Sequence, residues 1–162
     1  MWETRIVEIR ERVKESLEDL SFEKLNEKPS PGEWSIAQIV LHLAGAETRF
    51  LTLAIESAKL KSVTTRSTPV DLSVFDDEST KLKAPIEPSS DPMNMVDLMN
   101  ALDKSRTLTL HLLDQYTKED LNDRSMHHHR FGEMPIWQVF ELLGKHEQRH
   151  LLQIEDVKKR IG

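Results

Sequence analysis

The sequence predicts an all-α fold, a four-helix bundle occupying one domain over residues 1–162, with a long crossover between its second and third helices. Three observations carry that prediction. Four stretches repeat apolar residues at helical spacing, a non-periodic segment at 62–90 divides the second stretch from the third, and no run makes a convincing strand.

From Trp2, apolar residues recur at Ile6, Ile9, Val13, Leu17 and Leu20 with charges on the opposite face, which is a first amphipathic helix. Ser21-Phe22-Glu23-Lys24-Leu25 then reads as a fresh cap and one short turn, before Pro29, Pro31 and Gly32 break the path. Ser35-Ile36-Ala37-Gln38 has capping-box form and opens a second helix to about Lys61, with Ile36, Ile39, Val40, Leu43, Ala46, Phe50, Leu53 and Ala54 on its apolar face. His42 stands at the edge of that face. Glu47 and Arg49 are expected to face solvent.

The connection that follows carries Thr64, Thr65, Ser67, Thr68, Pro69, Pro85, Pro88, Ser89 and Ser90, and no sustained period. A loop beyond about 15 residues is uncommon in a compact domain, and a crossover from one end of a bundle to the other explains it. Val70, Leu72, Val74 and Phe75 are the residues able to pin it down, as a cover over a pocket.

Asp91-Pro92 supplies a cap and a first-turn proline for a third helix through Met95, Met99, Leu102, Leu112 and Leu113 to Tyr116, its methionines filling core. Thr117-Lys118-Glu119-Asp120-Leu121 matches the Ser21–Leu25 segment, so two related helical hairpins are suggested. His127-His128-His129 lies in the next loop. Three adjacent side chains do not converge readily on one ion, so the run is read as a solvated or hydrogen-bonded loop, with one imidazole able to overhang a pocket. Pro135 opens the fourth helix, which runs to Ile161. Trp34 and Trp137 precede the second and fourth helices and are expected to close the bundle end.

The totals narrow the functional classes. A formal net charge of -6 argues against non-specific attraction to nucleic acid or anionic membrane. Zero cysteines removes disulfides, thiolate ligands and a cysteine nucleophile together. The charged N-terminus lacks a signal peptide's apolar run, and no later run approaches 18 apolar residues, so a soluble, cytoplasmic protein is expected.

On a helical wheel at about 100° per residue, Val139, Leu143, Ile154 and Val157 define one stripe on the fourth helix, and His146 and His150 fall inside it. Two imidazoles one turn apart on an apolar stripe need a partner, and a metal ion is the simplest. His42 is the best third ligand, because His111 sits mid-helix beside Leu110 and Leu112 and the loop histidines lack a rigid base.

His146-Glu147-Gln148-Arg149-His150 satisfies the His-Glu-x-x-His pattern of zinc metallopeptidases. Its extension fails. Gln153 stands where the longer motif needs glycine, and the six residues after Asp156 leave no room for a methionine turn or a downstream acidic ligand.

The ordered combination Glu33-Trp34-Ser35-Ile36-Ala37-Gln38-Ile39-Val40-Leu41-His42-Leu43, then Phe131-Gly132, then His146-Glu147, His150 and Gln153-Ile154 resembles the DinB-like superfamily of metal-binding four-helix bundles, over essentially the whole chain. The resemblance implies a site of His42, His146 and His150 for one divalent transition metal ion: zinc, nickel, iron or manganese, among which imidazoles select weakly. It also implies either of two activities on small molecules, transfer of a low-molecular-weight thiol such as bacillithiol, mycothiol or glutathione to an electrophile, or hydrolysis. A homodimer is a further expectation, and DNA binding is not. Glu147, about 40° from the stripe centre, is placed to serve as general base or to orient a ligand imidazole, or else to pair with Arg149 or Arg130. Gln153 is a candidate for a supporting contact. The alternatives are a metal-binding stress-response or ligand-binding module without turnover, and a metal-free bundle whose histidines bond one another and buried carboxylates.

Overall fold

The computed structural model describes residues 1–60, 68–77, 84 and 86–162; Lys61, Thr64, Thr65, Ser67 and Pro85 lie outside the described residues. Four long helices carry the expected periods: α1 (Trp2–Leu17), α3 (Ile36–Lys59), α4 (Met95–Gln115) and α6 (Val139–Ile161). The short α2 (Phe22–Asn26) and α5 (Lys118–Asn122) occupy the two matched segments, capped by Ser21 and Thr117. Ser35 and Gln38 close a reciprocal capping box at the start of α3, satisfying donors that the first helical turn leaves open.

α4 begins later than the Asp91-Pro92 signal suggests. The Asn26 side-chain amide brackets Met93, its N–H donating to the Met93 carbonyl and its oxygen accepting from the Met93 N–H, at 2.9 Å each, which holds that stretch outside the helix and passes the cap to Asn94. Met93, Met95 and Met99 pack partly buried against the core, as expected.

A second correction concerns the histidine run. Ser125–His128 (β1) and Gly132–Pro135 (β2) form an antiparallel hairpin, with Met126 opposite Met134 and His127 opposite Glu133. Alternation turns Met126 and His128 inward while His127 points out to bond Glu133. Gly132 adopts φ 74 just after the turn, a backbone state that glycine takes at little cost. Pro135 thus ends a strand, and a 3-10 turn at Ile136–Gln138 leads into α6.

The helix directions follow from the contacts. The first half of α3 shares a core cluster with the first half of α4 (Ile39 and Leu43 with Leu98 and Leu102), and its second half clusters with Leu112, so the two helices run parallel. α1 and α6 are parallel by the same reasoning, Ile6 clustering with Leu143 and Val13 with Leu151. A helix of 24 residues is about 36 Å long, so two consecutive parallel helices require a connection that returns the length of the bundle. The crossover serves that purpose. Its Val70 exchanges two hydrogen bonds with the Gln138 amide, Leu72 and Phe75 are buried, and Lys145 and Arg149 of α6 hold the 3-10 turn Ser73–Asp76 from outside.

The core divides into two apolar clusters, and a polar layer separates them. Each long helix contributes one charge: Arg10, Glu47, Arg106 and Glu147. Arg10 bonds Glu147 at 2.6 Å and Glu47 at 2.7 Å, and Arg106 bonds Glu47 at 2.8 Å and Glu147 at 3.2 Å. Ser105 and Thr109 donate to the same Glu47 carboxylate. The charges cancel, and a one-turn slip of any helix would leave buried ions unpaired, so the layer sets the register of the bundle. Glu47 is therefore fully buried and not solvent-facing, and Arg49 is half-buried. Among the described residues no helix is long and apolar enough to cross a membrane.

Candidate metal centre

The antiparallel packing of α3 on α6 brings His42 against His146 and His150, which share one face of α6 because four residues make about one turn. One ring nitrogen from each lies within 4.8 Å of the others. His42 Nε2 and His146 Nε2 stand 3.1 Å apart. At metal–nitrogen distances of about 2.0–2.1 Å, two tetrahedral ligands are roughly 3.4 Å apart, so a small rotamer adjustment admits an ion between them.

The surroundings favour neutral, ligating imidazoles. Burial, then the charges of His150 and Arg49, push His42 down to about 3. Burial, with Arg149 and against a hydrogen bond to Gln153, takes His150 down to about 4, and burial first of all holds His146 well below its ordinary value. All three are neutral at neutral pH, so each ring has one nitrogen lone pair that could bind an ion. His150 Nδ1 bonds Gln153 Oε1 at 2.7 Å, which leaves Nε2 as the nitrogen that could face an ion and is the kind of support that orients a histidine ligand. His42 Nδ1 is buried and has no hydrogen-bond partner among the described residues, so the ring is held by packing against Trp34, 5.1 Å between centroids.

Trp34 accordingly sits beside the site, with its indole N–H donating to Glu87, and does not simply close the bundle end. Trp137 lies against Phe140 and Lys118, away from the triad. Phe50 from α3 and Phe75 from the crossover both face the His146 ring edge-on, at 5.6 and 5.9 Å. Phe131 of the hairpin turn contacts Phe75, so hairpin and crossover together roof the histidines. His42 and His146 are 6% and 8% exposed, and His150 is half-buried. A hollow of about 200 Å³ along α6 is lined by Trp2, Ile9, Phe75, Gly144 and Arg149, and the triad does not line it.

The other candidate residues lie outside the triad. Glu147 directs its carboxylate into the polar layer, where Arg10 and Arg106 take both oxygens; its partners are these two, not Arg149 or Arg130. Arg149 instead donates to the Val74 and Asp77 carbonyls. His111 is exposed on α4. His127 is exposed and paired with Glu133. His128 is buried, stacked on His129 and separated from His146 by the Phe50 ring. The polar layer escaped the sequence reading, although it has a signal there: Arg10, Glu47 and Glu147 each fall four residues after an apolar stripe position, at Ile6, Leu43 and Leu143.

Comparison with known proteins agrees with this architecture. YuaE of Bacillus subtilis, an uncharacterised protein, is 32% identical over 150 residues, 90% of each chain. Among solved structures, TT2238, described as a four-helix bundle protein, superposes with a TM-score of 0.69 at 15% identity, covering 96% of this chain and 99% of its own. YfiT of Bacillus subtilis, described as a probable metal-dependent hydrolase with an unusual four-helix bundle topology, superposes with a TM-score of 0.67 at 19% identity, covering 99% of this chain and 86% of its own. A family model matches residues 5–154, and the chain accordingly belongs to the DinB superfamily.

Proposed function

We propose that this protein is a metal-dependent enzyme acting on small molecules, with His42, His146 and His150 as the ligands of one divalent transition metal ion. The observation that carries the reading is the convergence of three buried or half-buried imidazole nitrogens within 4.8 Å, all in neutral form and one oriented by Gln153. Three protein ligands leave coordination positions open, so the ion would supply Lewis acidity and lower the pKa of a nucleophile bound beside it. The chain's own residues then divide the remaining work. Gln153 orients His150, Phe75 and Phe131 exclude water from one side, and Trp34 keeps His42 in place.

Glu147 is assigned to the polar layer in this reading and not to proton transfer, because both its oxygens are engaged by guanidinium groups. Among the described residues no carboxylate free of a guanidinium partner stands at the triad, which favours a nucleophile that ionises readily, so thiol transfer is the first reading. A low-molecular-weight thiol is the proposed co-substrate and a small electrophile its acceptor. Hydrolysis is the second reading, supported by the description of YfiT.

Elemental analysis of protein purified without a histidine tag tests the site. The expected result is about one equivalent of zinc, nickel, iron or manganese, lost in His146→Ala and His150→Ala with the fold retained; a metal-free wild-type protein refutes it. Turnover is tested by adding bacillithiol, mycothiol or glutathione with a fluorogenic electrophile, and separately an activated ester. Metal-dependent acceleration in the first assay supports transfer, in the second hydrolysis. Neither would leave a binding module without turnover.

A further inference from the structure

Arg49 stands seven residues after His42 on α3, and that spacing puts the two side chains on one helix face. Helical side chains lean toward the N-terminus of their helix, and Arg49 does so. Its Nη1 lies 3.3 Å from the point that a Cβ at Gly45 would occupy, so the missing side chain at Gly45 leaves the track along which the guanidinium runs toward the histidines.

Arg49 is half-buried, and among the described residues no carboxylate, carbonyl or hydroxyl bonds it. The other interior guanidinium groups differ: Arg10 and Arg106 each pair with two carboxylates, and Arg149 holds carbonyls of the crossover. Burial lowers the Arg49 pKa, and its charge in turn depresses His42 and His146, which places it within electrostatic reach of both. Glu47, two residues before Arg49, and Glu147, next to His146, are already neutralised in the polar layer. Among the described residues nothing offsets the Arg49 charge, so a divalent ion at the three neutral imidazoles would add to it, and a partly desolvated cation without a partner is unfavourable. An anion carried by the ligand would supply the balance.

We propose that Arg49 is the anion-recognition residue of this site, pairing with a carboxylate on the small molecule that the histidine centre binds. The planar fork of arginine matches a carboxylate through two parallel hydrogen bonds, which lysine does not reproduce. The proposal rests on the metal-site reading above, and the test keeps the two apart.

Zinc-loaded protein is titrated calorimetrically with 3-mercaptopropionate and with 2-mercaptoethanol, which share a thiol and differ in the carboxylate. Wild type is expected to bind the first roughly ten- to a hundredfold more tightly, the range of a charged hydrogen-bonded pair. Arg49→Gln abolishes that preference while zinc stoichiometry, measured independently, stays at one; Arg49→Lys keeps the charge without the fork and retains part of it. A wild-type protein with no preference, or an Arg49→Gln protein that keeps it at full zinc occupancy, overturns the proposal and leaves the metal site standing. Absence of bound zinc in wild type fails the metal-site reading, and the anion proposal with it.

Discussion

Glu47→Gln keeps the shape of the side chain and removes one charge from the centre of the bundle. In the wild type, Oε1 accepts from Arg10 and Ser105, and Oε2 from Arg106 and Thr109. A glutamine amide offers one oxygen, so one of these pairs meets an N–H₂ instead, and the polar layer retains two guanidinium groups against a single carboxylate. Hydroxyl groups can rotate to accept; guanidinium groups cannot. Removing one partner of a buried ion pair costs about 3–5 kcal/mol, a large fraction of a total that is typically about 5–15 kcal/mol. For a domain of this size the corresponding fall in Tm is about 6–20 °C.

The pH dependence supplies a second check on the same variant. Burial pushes the Glu47 carboxyl up, but Arg10, Arg106 and the Thr109 hydroxyl together hold it below its ordinary value. A carboxyl with a depressed folded pKa contributes stability that is fully present above its unfolded value, 4.5, and lost as pH falls through the lower folded value. The stability gap between wild type and Glu47→Gln, measured by urea denaturation, should be constant above about pH 5 and narrow in stronger acid. A loss below about 1 kcal/mol at pH 7, or a gap that does not narrow, would refute the idea that this layer is held by ionised pairs.

Gly144→Ala places a Cβ 2.7 Å from two atoms of the Trp2 ring, so overpacking should cost about 1–3 kcal/mol and shift tryptophan emission; an unchanged Tm with unchanged emission would show that α1 and α6 are not in close contact there. His128 is pushed down to about 4 by burial, then by His129, Arg130 and His127, so stability tied to its neutral form is present above 6.5 and lost as pH falls from 6.5 toward 4. His128→Asn, which can still accept the Arg130 N–H, should lose less urea resistance between pH 7 and pH 5 than wild type does, and an equal loss would exclude His128 as the source. Phe75→Ala removes the ring that faces His146 from the crossover; a cost of about 3 kcal/mol and faster amide exchange near Val70 to Asp76 are expected, while a neutral effect would mean that the crossover is not anchored there.

The four helices were legible because their apolar residues recur with a period that only a helix turns into one face, as at Ile6, Ile9, Val13 and Leu17. Caps that depend on neighbours three residues apart, Ser35 with Gln38, were legible for the same reason. The hairpin was not, since strands of four residues are too short for alternation to stand out, and its inward positions are set by packing under the crossover. Nor was the start of α4, which is decided by a bracket from Asn26, 67 residues away.

Local sequence thus determined which segments are helical, where most of them begin, and that His146 and His150 share a face, because periodicity and capping act within one or two turns. Only tertiary structure decided what the charged residues on those faces do. Arg10, Glu47, Arg106 and Glu147 look like solvated charges one helix at a time, and become an interior layer when four helices supply opposite signs at one level. Arg49, a few residues from that layer, meets no such partner among the described residues. A charge is stable in the interior only when another element brings its complement, and that pairing is a property of the packed bundle, not of any segment within it.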